Sequence, residues 1–67
     1  MVIVDNIEKY CAKHGSNVMQ FEKKCGLGKG VIYRWRKGEQ SPSLRTLEKI
    51  STATGISTEK WLRKGGV

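Results

Sequence analysis

Six basic side chains, Lys23, Lys24, Lys29, Arg34, Arg36 and Lys37, stand between Glu22 and Glu39 with no acidic residue among them. Across the 67 residues 13 Lys and Arg meet 6 Asp and Glu, so this window carries nearly all of the net charge of +7. Cationic groups gathered in this way suit a polyanion. Other chemically able residues carry less. Cys11, Cys25 and His14 are ligand types without a convincing fourth, so the thiols read as small core residues and no metal site is expected. Gly26-Leu27-Gly28-Lys29-Gly30 has neither the spacing of a phosphate-binding loop nor a strand before it, and reads as a turn. His14 stands in no catalytic motif.

The length sets a bound of one domain, residues 1–67, with a small core. A pair of cysteines excludes a multi-disulfide scaffold. No apolar run reaches the length of a membrane span, and Met1-Val2-Ile3-Val4 is too short for a signal peptide, so the chain reads as cytoplasmic with free thiols.

The elements that position the basic window follow from punctuation and period. Ile3, Ile7, Tyr10 and His14, with Val4 and Cys11 beside them, share one helical face and predict a first helix over 3–14. Asp5 and Glu8 form its expected capping box, and Gly15 its stop. Asn17 followed by Gln20 repeats the capping pattern and opens a second helix over 18–24, with Phe21 and Cys25 on one face. A third spans 29–37, gathers Val31, Ile32 and Trp35 on one side, and closes at Gly38. Ser41-Pro42-Ser43 starts a fourth, with Leu44, Leu47, Ile50 and Thr54 as its apolar stripe and Gly55 at its end. Ser57 caps a last turn carrying Trp61 and Leu62. No useful alternating strand pattern competes, so the fold class is all-α with five helices.

Helix two, a glycine-containing turn and helix three make a helix-turn-helix over about residues 18–37. At 100° per residue Ile32 and Trp35 face inward, which leaves Lys29, Gly30, Tyr33, Arg34 and Lys37 on the opposite side. The second helix of such a motif enters the major groove of DNA. Arg34 can bridge guanine O6 and N7, Lys29 can donate to the same atoms from the helix N-terminus, Tyr33 can offer its hydroxyl or ring, and Gly30 permits a close approach.

With Phe21, Cys25, Gly26, Leu27, Ile32 and Trp35 at the motif's core spacing, then Gly38, Pro42-Ser43-Leu44, Leu47, Ile50, Gly55-Ile56-Ser57 and Trp61-Leu62, the chain resembles the Cro and repressor helix-turn-helix family, also called the XRE family. The likeness covers nearly the whole chain. It implies a compact lambda-repressor-like fold and a phage- or prophage-type transcription regulator, with no catalysis and no cofactor. Double-stranded DNA is the implied partner, as a palindromic operator held by a homodimer. The resemblance places Asn17, Val18, Lys37, Ser43 and Arg45 against phosphates. The rival function is a protein-interaction module such as an antitoxin or accessory factor built on the same fold; a basic membrane or RNA binder is a weaker one.

The chain departs from the family pattern at three places. Glu22 stands where a small residue usually lets helices two and three approach, so an adjusted packing is expected. Gly28 replaces the usual serine or threonine cap of helix three, a mild loss. Cys11 and Arg36 occupy positions where the family often pairs an arginine with a glutamate. Loss of both partners leaves no uncompensated charge, and frees Arg36 for solvent or phosphate.

Overall fold

A computed structural model describes residues 1–67. Its elements are all helical: α1 (Val2–Lys13), α2 (Val18–Cys25), α3 (Val31–Arg36), α4 (Leu44–Thr54) and α5 (Thr58–Leu62). Three of the five start on the side-chain caps read from the sequence. Asn17 Oδ1 accepts from Gln20 N at 2.9 Å, Ser43 Oγ from Thr46 N at 3.2 Å and Ser57 Oγ from Lys60 N at 3.4 Å. Each satisfies one of the donors that a helix start leaves open.

The start of α1 differs from the expectation. The helix begins at Val2, without a side-chain cap, because Ile3 and Val4 are both buried and draw the first turn into the core. Asp5 therefore lies inside the first turn, its N–H donating to Met1 O at 3.2 Å, and the Asp5-Glu8 capping box does not form.

The core gathers Ile3, Val4, Ile7, Tyr10 and Cys11 of α1, Phe21 and Cys25 of α2, Ile32 and Trp35 of α3, Leu47 and Ile50 of α4, and Trp61 of α5. Phe21 sits edge-on between aromatics, its ring centroid 5.7 Å from both Tyr10 and Trp61. The Trp61 indole N–H finds Thr54 Oγ1 at 3.3 Å, and Thr54 in turn donates to Ile50 O at 2.7 Å, so burying this ring strands no donor. Asn6, buried and unremarked in the sequence, closes the fold: its Nδ2 donates to Trp61 O at 2.8 Å and Arg63 O at 3.0 Å, holding the end of α5 against α1.

Leu44 corrects the reading of α4, for it is 70% exposed while Leu47 and Ile50 are buried. Two successive steps of three residues turn about 120° away from Ile50 at 100° per residue, which carries Leu44 off the buried stripe. No helix is long and apolar enough to cross a membrane.

Candidate nucleic-acid interface

The turn between α2 and α3 is set by two left-handed glycines. Gly26, at φ 69°, ends α2, with its own N–H on Lys23 O at 3.3 Å and the Leu27 N–H on Glu22 O at 2.8 Å. This paired closure needs a residue without a Cβ penalty at that φ. It turns Leu27 back toward the core, where it packs half-buried. Gly30, at φ 79°, is the position from which α3 begins.

Glu22 is the brace of this turn. Its side chain lies under the start of α3, 5% exposed, with Oε1 accepting from Gly30 N and Oε2 from Ile32 N, each at 3.2 Å. A carboxylate there answers both the unpaired donors and the positive end of the helix. The third helix accordingly starts at Val31 rather than at Lys29. Lys29 and Gly30 belong to the turn, and Gly30 serves through its left-handed backbone, with its N–H already engaged.

Along α3, Ile32 and Trp35 are 0% and 2% exposed and fix the helix by burial. The opposite side carries the basic and aromatic groups. Tyr33 is 58% exposed, and Lys37 Nζ stands 5.1 Å from its ring centroid and 3.6 Å from Glu39 Oε2. Arg34 is half-buried, its Nε donating to Gln40 Oε1 at 3.4 Å, and its Nη1 lies beside Gly30, 3.6 Å from where a Cβ would be. Lys29 is exposed at the rim of a cleft shared with Met19, Glu22, Lys23 and Leu27.

Arg36 does not join this group. Its guanidinium pairs with Glu8 of α1, so the expectation of a freed Arg36 is corrected. The ion pair joining α1 to the end of α3 is present with its polarity reversed: the acid is on α1 and the arginine on α3. Its acid lies one turn before Cys11, the position matched to the family's arginine, which is why comparison of Cys11 with Arg36 alone misses it.

The starts of α2 and α4 hold the other predicted residues. Asn17 uses Oδ1 as the α2 cap and keeps its amide nitrogen free, while Val18 packs partly against the core and offers only its backbone. The N–H groups of Val18 and Met19 have no acceptor in the molecule. Ser43 caps α4, and the N–H groups of Leu44 and Arg45 are likewise open. Arg45 is exposed and borders a cleft with Cys25, Gly26, Glu48 and Lys49.

Lys24, on the α1 side of α2, donates to Tyr10 Oη at 3.0 Å, and this hydrogen bond pushes its pKa up, keeping the ammonium charged. Burial pushes the Cys11 and Cys25 thiols up, so both stay protonated and unreactive near neutrality. Sequence reasoning assigned Glu22 only to packing and passed over Gln40. The signal for Glu22 was the coincidence of two departures, a carboxylate in place of a small residue and a glycine in place of a cap.

This arrangement, an inward-anchored helix set across a glycine turn from its partner, is that of a helix-turn-helix domain. Residues 7–61 match the Helix-turn-helix family, and the chain belongs to it, as a domain of the XRE type found in DNA-binding transcription regulators. Over 48 residues, 72% of this chain, it is 46% identical to an uncharacterized HTH-type transcriptional regulator of Haemophilus influenzae. The chain spans 20% of the length of that relative. No solved structure gives a significant match.

Proposed function

We propose that the chain binds double-stranded DNA with α3 in the major groove and acts as a Cro- or repressor-like regulator of transcription, occupying a palindromic operator as a homodimer. The observation that carries this reading is the division of α3: Ile32 and Trp35 are fixed in the core while Tyr33, Arg34 and Lys37 share the other side with Lys29 before them. In this reading Arg34 and Lys29 read base edges, and Tyr33 adds a hydroxyl or a ring face. Asn17 and the Val18 N–H at α2, Lys37 after α3, and Ser43 with Arg45 at α4 hold phosphates, using helix starts whose N–H groups are open. Arg36, paired with Glu8, has no part in it.

Selection from a random duplex library followed by titration of the best duplex tests this function. A sequence with two related half-sites is expected, with affinity falling on a log-log salt slope of several units between about 50 and 200 mM. Recovery of no preferred duplex, together with a slope near zero, would overturn it in favour of a protein partner.

A further inference from the structure

We propose that Glu22 is a positioning residue for base discrimination: a cap supplied from α2 that sets where α3 begins and so aims Lys29, Tyr33 and Arg34. The proposal rests on the DNA reading above and adds a residue that cannot itself reach DNA, since Glu22 is buried. Three observations carry it. The α3 start has no side-chain cap of its own, because Gly30 is the N-cap residue and Gly28 precedes it. Both oxygens of Glu22 are spent on backbone donors there, Gly30 N and Ile32 N. Those two donors flank Val31, whose N–H is held by Gly28 O at 3.2 Å, so consecutive amides of the turn are fixed and α3 cannot slide or fray at the end that carries Lys29.

A short helix is especially exposed to this control. With six residues, α3 holds too few internal hydrogen bonds to persist without outside support. Ile32 and Trp35 restrain its rotation by packing, while Glu22 is the one side chain that holds the backbone amides of Gly30 and Ile32. Discrimination between bases depends on side chains held to a narrow geometry, whereas attraction to phosphates does not. Loss of the brace therefore acts on specificity, and leaves the salt-dependent affinity for any duplex in place.

Substitution separates brace from bulk. In Glu22→Gln the shape is kept but one acceptor becomes an N–H₂ donor, which cannot serve a backbone N–H. Glu22→Ala removes both acceptors. In Glu22→Ala/Gly28→Ser a hydroxyl is placed beside the turn as a replacement acceptor for its amides; Gly28 has no positive φ, and a Cβ there meets nothing within 4 Å.

Two readouts follow, one without DNA. In the free protein, the Gly30 and Ile32 amide protons of Glu22→Gln should shift upfield and exchange faster, while the Leu47 and Ile50 amides of α4 stay protected. With DNA, the affinity ratio between the best duplex and its single-base variants should fall about fivefold, the factor of one lost cap, with the salt slope unchanged. Glu22→Ala/Gly28→Ser should regain most of that ratio. Wild-type amides and an unchanged ratio in Glu22→Gln would overturn the proposal. So would a double variant that discriminates no better than Glu22→Ala, or that fails to fold if Glu22→Ala fails. Failure of wild type to bind duplex DNA would sink the DNA reading instead, with the amide result still judging the brace.

Discussion

At the starts of α2 and α4, two backbone N–H groups each have no acceptor in the molecule, whereas at the start of α3 those of Gly30, Val31 and Ile32 are all taken. All three are N-termini of helices, yet they are finished in opposite ways. An open start suits any phosphate oxygen, because it offers fixed donors and the positive end of a dipole without regard to sequence. At the α3 start only the Tyr33 N–H stays open, so it presents chiefly side chains, and their edges and forks can tell one base from another. In the proposed DNA reading, the difference gives gripping to α2 and α4 and discrimination to α3, within a domain whose largest extent is 24 Å.

The comparison breaks most completely if α3 loses its anchor. Trp35→Ala removes the largest side chain that holds this helix, and should destabilise the domain by roughly 3–5 kcal/mol. That approaches the whole stability expected of a core this small. Chemical denaturation followed by circular dichroism checks it, and an unchanged midpoint would mean that Trp35 is not a core residue.

A smaller change sharpens the same division. The Glu8–Arg36 pair is half-exposed on both sides, so Arg36→Ala should alter stability by only about 0–1 kcal/mol. Its salt slope for DNA should match wild type, because the guanidinium serves α1. A slope lower by about one unit would restore Arg36 to the phosphate-gripping set.

How much of this was legible in the sequence depends on the range of the interaction. The caps at Asn17, Ser43 and Ser57 act within three residues, and the inward phase of Ile32 and Trp35 follows from helical period alone; each stands in the structure as read. The start of α3 was misplaced because its cap comes from another helix, eight and ten residues back in the chain. The fate of Arg36 was hidden for the same reason, since Glu8 meets it only after α1 and α3 pack. Asn6 shows the longest case: its partners Trp61 and Arg63 are 55 and 57 residues away, and nothing local marks it. Leu44 failed differently, because a stripe built on steps of three drifts around the helix and its end was counted as core. The residue types of the candidate site and its buried anchors Ile32 and Trp35 were thus legible, while the partners supplied by other helices, Glu22 and Glu8, were not.

The division between gripping and reading is tested most directly by Arg34→Ala and Arg45→Ala, each compared with wild type by competitive binding to a panel of single-base operator variants at two salt concentrations. Arg34→Ala should cost about 1–3 kcal/mol on the best site and relax preference at one base position in each half-site. Arg45→Ala should weaken every sequence alike and lower the salt slope by about one unit. Both should keep the wild-type circular dichroism spectrum, since neither side chain is in the core. Uniform weakening by Arg34→Ala, with an altered base preference in Arg45→Ala, would contradict the assignment.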